Sequence, residues 1–298
     1  MSPFVLVLVL SSTVMHAAWN LVARQQKASV PRILYRAHIV VIGLGLIPVL
    51  GAEVWLGSLP GKVYAYAVGS GFFCALYYFG LAHGYRSADF TVVYPVVGAV
   101  PVLLVGVGDI VRGRFPTPAG WLGMVLVAVG CLLAPRRSFG EFRLRQYLHE
   151  SALWMLLAAA GTVGYTMVDK LASEAVQPGL STALRYGYLF WVPGFVFYAA
   201  LMQLVNVGPV DDEPVGWWRP VWCAVLNFGA YGLILWAYQM TERASYVVAF
   251  RQASVVLGVV AAFVIYQEGG KLVRTTAALL ITAGLVVIAL WGGSGLGA

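Results

Sequence analysis

Apolar residues run along the chain in long blocks separated by short gaps of Gly, Pro and charge. Neither the alternation of a half-buried strand nor the single apolar stripe of a soluble helix stands out; the blocks are hydrophobic on all sides. A helix needs about 20 residues to cross the hydrocarbon layer. The punctuation divides the chain into ten such spans, 3–23, 33–50, 63–83, 89–107 and 118–134, then 151–170, 180–205, 221–240, 245–266 and 272–291. A polar linker at 135–150, with Arg136, Arg137, Arg143 and Arg145, separates the two sets of five. The other long gap, 207–220, carries the acidic run Asp211, Asp212 and Glu213.

Composition changes the picture from helical to membrane-embedded. Of 298 residues, 60% are apolar or aromatic and 10% are charged, against about a quarter charged in a soluble domain. Too few charges remain to cover a water-facing surface, so the fold class is an all-α integral membrane protein. That excludes most soluble enzymes, disordered scaffolds and secreted disulfide modules. The net charge of +7 comes from residues scattered among the gaps, which suits lipid head groups and builds no nucleic-acid patch. Cys74, Cys131 and Cys223 sit inside apolar stretches without paired spacing and read as packing residues. The apolar stretch 4–10 has no preceding Lys or Arg and reads as the start of a retained first helix.

The second half overlays the first at a nearly constant offset. Ser12-Thr13-Val14 falls on Gly161-Thr162-Val163, which sets His16 on Tyr165, Asn20 on Asp169 and Arg36 on Arg185. A slightly larger offset sets Ser87-Ala88-Asp89-Phe90 on Arg243-Ala244-Ser245-Tyr246 and Arg112-Gly113 on Glu268-Gly269. Five spans is an odd number, so a second copy enters the membrane from the opposite side. The expectation is two inverted five-helix repeats, 1–142 and 143–298, around a central cavity.

These residues resemble the ten-helix EamA-like members of the drug/metabolite transporter superfamily. The likeness is carried by His16-Ala17-Ala18-Trp19-Asn20, by the stretch from Ala88 through Tyr94-Pro95, and by the turn Gly113-Arg114-Phe115-Pro116-Thr117-Pro118 before Gly123 and Gly130. Gln267-Glu268-Gly269 is the partner of that turn in the second half. The resemblance implies a basket of helices around a cavity, alternating access, and import or export of small metabolites without nucleotide hydrolysis. The chain departs from the pattern at Arg251-Gln252, where the first half has Pro95-Val96, so no relative's substrate transfers to it.

Independently, no Gly-rich loop ending in Lys-Ser or Lys-Thr is present, no His/Cys/carboxylate spacing suits a metal, and no nucleophilic triad can be assembled. No cofactor is expected, and transport would run on a proton or sodium gradient.

The informative positions are polar residues at membrane depth, where a charge costs roughly 2.5–3.5 kcal/mol on insertion scales. Arg251 lies about 10 Å along its helix from Ser245. Its guanidinium could hold a carboxylate or phosphonate in two bonds, or pair with Asp169, Glu242 or helix-end carbonyls. His16 and Asn20 share a helix face with Trp19 nearby, suited to substrate contact, to proton coupling at the imidazole, or to plain interhelical bonding. Tyr165 and Asp169 hold the equivalent positions, Asp169 being the acidic candidate for coupling or else a solvated span end. Gln252, Tyr77, Tyr78, Tyr94, Asn227, Trp236 and Gln239 are candidate cavity lining or packing residues. Arg36 and Arg185 would draw anions into a vestibule or snorkel to head groups at opposite faces. Asp89 and Asp109 lie near span ends, solvated or paired with arginines. Gly80 with Gly84, and Ser254 with Gly258, have the spacing of close helix contacts.

The reading is a gradient-driven carrier of a small polar or anionic metabolite, such as an amino acid or organophosphonate, in a cytoplasmic (inner) membrane. A membrane-embedded enzyme or handler of lipid-linked substrates is the alternative, with a channel third. The basic residues concentrate in the gaps on the linker's side of the membrane, which places the termini outside by charge count, whereas the resemblance implies cytoplasmic termini. Orientation, oligomeric state and direction of transport stay open at this level.

Overall fold

A computed structural model describes residues 1–24, 30–87, 90–141, 151–204, 216–264, 267 and 269–293. They form eleven α-helices and one 3-10 turn at Phe139–Glu141, with no strand among the described residues. The first half supplies α1 (Pro3–Arg24), α2 (Val30–Trp55), α3 (Gly61–Ser87), α4 (Phe90–Val111) and α5 (Pro118–Leu133). The second supplies α6 (Ser151–Ser173), α7 (Leu180–Leu204), α8 (Trp218–Gln239), α9 (Ala244–Arg251), α10 (Ala253–Val264) and α11 (Lys271–Trp291). Each expected span has its helix, with one correction: the span expected as continuous over 245–266 is broken between α9 and α10 at Gln252. Eight segments are long and apolar enough to cross a membrane, α9 and α10 counting together, and α4 and α5 contribute shorter apolar stretches.

Local chemistry explains the boundaries. Pro118 occupies the first turn of α5, where a missing N–H costs nothing, and the Thr117 hydroxyl accepts from Gly120 N at 3.0 Å. Gly113 turns the chain at φ 73°, a conformation that side chains with a Cβ avoid. Large apolar side chains such as Leu44, Ile47, Val54 and Leu279 point outward, while Asp109, Lys170, Asp169, Arg185 and His38 are buried. Apolar outside and polar within is the arrangement a lipid solvent selects.

Helix contacts follow a swapped pattern. α3 packs on α6 and α7, and α8 packs on α1 and α2; α4 meets α6 and α9, while α1 meets α10. α5 lies against α11. In lipid, helix association depends on close van der Waals contact rather than on the hydrophobic effect. Gly80 supplies such a contact: a Cβ there would lie 2.7 Å from Trp154 O and Ala158 N of α6. On α5, a Cβ at Gly123 would lie 2.7 Å from Gly284 O, and one at Gly130 2.8 Å from Ala277 O, so backbones touch where the two halves cross. Gly258, expected to make a similar contact with Ser254, instead faces outward with nothing within 4 Å.

Because successive helices alternate in direction, α1, α3, α5, α7 and α9 start at one end of the bundle, where α2, α4, α6, α8 and α11 finish. This end is termed the terminal face. A hydrogen bond from the Thr117 hydroxyl to Trp291 O, at 3.1 Å, ties the start of α5 to the end of α11 there.

Gly80→Val is expected to lower thermal stability by about 1–3 kcal/mol, the cost of overpacking a filled site, because the obstructing atoms are backbone. Gly43→Ala, with nothing within 4 Å of the added carbon, should leave the melting temperature of the detergent-solubilised protein unchanged or raised.

Candidate functional site

The break between α9 and α10 sets up the site. Gln252 N–H bonds Ala249 O at 3.0 Å and Val255 N–H bonds Gln252 O at 2.9 Å, so two tight turns replace continuous α-helical bonding. Arg251 is therefore the last residue of α9. Two adjoining cavities open beside it and share His16, Tyr77, Tyr165 and Arg251 as walls. The first extends among Trp19, Cys74, Tyr78, Phe190, Trp191, Asn227 and Tyr231. The second extends past Asn20, Leu81, Val97, Gly98, Thr162 and Gln252.

Arg251 keeps part of its surface in these cavities. Its guanidinium carbon stands 5.5 Å from the centre of the Tyr231 ring, close enough for a cation–π contact, and the Tyr165 hydroxyl is within hydrogen-bond reach. Among the described residues no carboxylate forms an ion pair with it. Neither Asp169 nor Glu242 is thus its ion-pair partner.

His16, Trp19 and Asn20 bond one another along α1. Trp19 Nε1 donates to His16 Nδ1 at 3.0 Å, and Asn20 Nδ2 donates to His16 O at 2.8 Å. The accepted bond leaves Nε2 to carry the proton of a neutral ring. Asn227 Nδ2 donates to the Tyr78 hydroxyl at 2.7 Å. Gln252 lies against Gly98, where a Cβ would come within 3.0 Å of its Oε1. His16 and Tyr165, matched by the sequence overlay, face the same cavities; their partners Asn20 and Asp169 do not behave alike.

Asp169 is fully buried, which corrects the reading of a solvated span end. Ser70 and Tyr186 hydroxyls both donate to its Oδ1, and the Tyr231 hydroxyl donates to Oδ2. Lys170 turns the other way, donating to Tyr238 O at 2.8 Å and pairing with Glu174 at 3.2 Å. The two neighbours therefore serve different surroundings.

Other expectations are relocated. Trp236 lines neither of these two cavities; it packs edge-on against Phe4, 5.2 Å between ring centres. Gln239 accepts from Gly179 N at 2.7 Å and holds the end of α8 to the start of α7. Arg185 neither snorkels nor lines a vestibule: it is buried and donates to Glu53 Oε1 at 2.6 and 2.9 Å and to Gly57 O at 2.6 Å. Arg36 lies 5.0 Å over the Trp217 ring. Asp109 pairs with Arg112 at 2.8 Å as expected, but it is buried and accepts from Ala244 N and Ser245 N at 3.2 and 2.9 Å, capping α9. Arg112 also reaches Glu174. Tyr94 lies on α4 with its side chain outside those described, and Asp89, Arg143, Arg145, Asp211, Asp212, Glu213 and Glu268 lie outside the described residues.

Sequence reading passed over Tyr231, Ser70, Tyr186 and Trp191 as site residues, and took Cys74, which lines the first cavity, for a packing residue. Three of these were within reach of helical spacing: Tyr231 follows Asn227 by four residues, and Ser70 and Cys74 share one face of α3 with Tyr77 and Tyr78. His38, buried among Tyr78, Trp191 and Tyr198, carried no such signal.

Comparison with known proteins agrees with this architecture. Residues 150–290 match the EamA-like transporter family, part of the drug/metabolite transporter superfamily. No curated protein matches the chain. Among solved structures, one crystal structure of a protein with 18% sequence identity superposes with a TM-score of 0.70, covering 98% of each chain. At that identity the likeness concerns the fold. Together with the apolar helices, the family match makes this a multi-pass integral membrane protein.

Breaking the Glu53–Arg185 pair at the terminal face with Arg185→Met should destabilise the protein by about 3 kcal/mol, the low end for a buried pair because Glu53 keeps some exposure. Adding Glu53→Gln should recover part of that loss in thermal unfolding, because no buried charge is then left without its partner.

Proposed function

With residues 150–290 belonging to the EamA-like transporter family, we propose that this chain is a secondary transporter of a small anionic metabolite, with Arg251 as the residue that reads its negative charge. The observation that carries this reading is Arg251 at a helix break, facing a cavity beside tyrosine hydroxyls and without a carboxylate partner among the described residues. A cation so placed inside the bundle is best compensated by a visiting anion, and a planar guanidinium offers a carboxylate or phosphonate two parallel bonds. Aromatic walls from Trp19, Tyr77 and Trp191 suit the apolar body of an amino acid or a similar metabolite. His16, Asn227 and Gln252 add polar selectivity.

The swapped packing, α3 on α6 answered by α8 on α1, supports two inverted repeats, 1–142 and 143–298, moving against each other in alternating access. The ion pairs Glu53–Arg185 and Arg112–Glu174 both join the two halves at the terminal face. The second cavity runs toward the other face, along the late turns of α1 and α3 and the early turns of α4. Access would thus exchange when the terminal-face pairs break and the opposite side closes. The energy comes from an ion gradient across an inner membrane.

A thermal-shift screen of the purified protein against amino acids, phosphonates, nucleosides and cationic drugs tests this, because a ligand held only by the folded state raises apparent stability. A saturable shift with anions that disappears in Arg251→Gln is expected. Shifts confined to cations or lipids would overturn it.

A further inference from the structure

We propose that each anion bound at Arg251 is accompanied by one proton taken up on Asp169, with Tyr231 as the positioning residue that links the two sites. The inference rests on the anion-carrier reading and adds the coupling ion and its route.

Tyr231 has two contacts that no other described residue combines. Its ring face lies 5.5 Å from the Arg251 guanidinium carbon, and its hydroxyl donates to Asp169 Oδ2. It also lines the cavity that Arg251 enters, while Asp169 is shut away behind it. The anion site and the buried carboxylate are thus one side chain apart.

The surroundings of Asp169 make Arg251 the charge that matters. α3 presents the Ser70 hydroxyl and the Cys74 thiol; α7 presents the Tyr186 hydroxyl; α8 presents Tyr231 and Tyr238; α9 presents Arg251. On α4, Asp109 is turned to the start of α9, and Lys170 on α6 itself is engaged with Tyr238 O and Glu174. Arg251 is therefore the cation facing this carboxylate among the described residues. When an anion neutralises Arg251, Asp169 becomes a buried charge without compensation, which is costly unless it takes up a proton.

The hydroxyl cage accommodates that proton. Ser and Tyr hydroxyls donate to a carboxylate and equally accept from a carboxylic acid, so neither state of Asp169 leaves a buried polar atom unmatched. A sodium ion would need several oxygen lone pairs directed at it, whereas these three hydroxyls direct their protons at the carboxylate. The transfer balances: a proton from bulk solvent, carried as hydronium through cavity water, passes to the Tyr231 oxygen as the Tyr231 hydroxyl proton passes to Asp169 Oδ2, leaving neutral water and a neutral tyrosine, and release of the anion reverses both steps. A monoanion and its proton then cross together without net charge.

Two measurements on the purified full chain decide it. L-lactate, a carboxylate that does not titrate near neutral pH, is added by calorimetric titration in two buffers of different protonation enthalpy, which counts protons bound per anion. About one proton per lactate is expected for the native chain by linkage, none for Asp169→Asn with lactate still bound, and fewer than one for Tyr231→Phe. Lactate binding without proton uptake overturns the inference and leaves the anion-carrier reading standing. Uptake of sodium in place of a proton, seen by repeating the titration in choline salts, also overturns it.

Infrared spectroscopy of the ligand-free protein supplies the second arm. The protonated-carboxyl band of Asp169 is followed against pH in the native chain and in Arg251→Gln, which imitates neutralisation by an anion. Its midpoint is expected to rise by about one pH unit, the effect of removing a nearby opposite charge. An unchanged midpoint overturns the inference. A raised midpoint with no anion bound by any member of the panel supports the linkage and overturns the anion-carrier reading. If Asp169→Asn does not fold, the native chain and Arg251→Gln decide the matter by themselves.

Discussion

The arrangement depends on one constraint: a guanidinium is held where lipid surrounds the protein, and it must be compensated from within. The compensation is spread over two elements. To Arg251, α8 gives the face of Tyr231 and α6 gives the hydroxyl of Tyr165. Neither is a full counter-charge, and Asp169 reaches Arg251 only by way of Tyr231, so the cavity beside them is where a direct one can be supplied. Cavity and tyrosines are therefore one solution to a single electrostatic problem.

The same constraint explains one group of paired charges. Glu53 with Arg185, and Asp109 with Arg112, Glu174 and Lys170, are all satisfied by one another or by backbone, and all gather at the terminal face. Charges that are paired in this way close a surface. Arg251, compensated only in part, stands apart from them in the middle of the bundle and belongs to a different task.

Much of this was legible in the residues, and the parts that were not have a common cause. Helix positions followed from apolar run length alone, because the bilayer thickness sets that length. Arg251 stood out because a cation inside an apolar run is expensive wherever it points. Trp236 did not separate from Tyr78 by such reasoning, since both are amphipathic aromatics in apolar helices and only rotation about the helix axis decides between Phe4 and the cavity. Asp169 looked like a span end because Lys170 follows it; two adjacent residues on a helix point about 100° apart, and here they enter unlike surroundings. The break at Gln252 left no trace either, as no Pro or Gly marks it. Arg185 and Asp109 found partners far along the chain, which local pattern does not reveal.

The cap on α9 has a mechanical meaning. Asp109, at the end of α4, grips the first two backbone amides of α9, and eight residues later that half-helix ends at Arg251. A rod of eight residues is about 12 Å long and stiff over that length. Any tilt of α4 relative to its surroundings is then delivered to the guanidinium as a displacement, with the turn at Gln252 marking where the rod ends. The first half of the chain holds one end of a lever whose other end carries the charge.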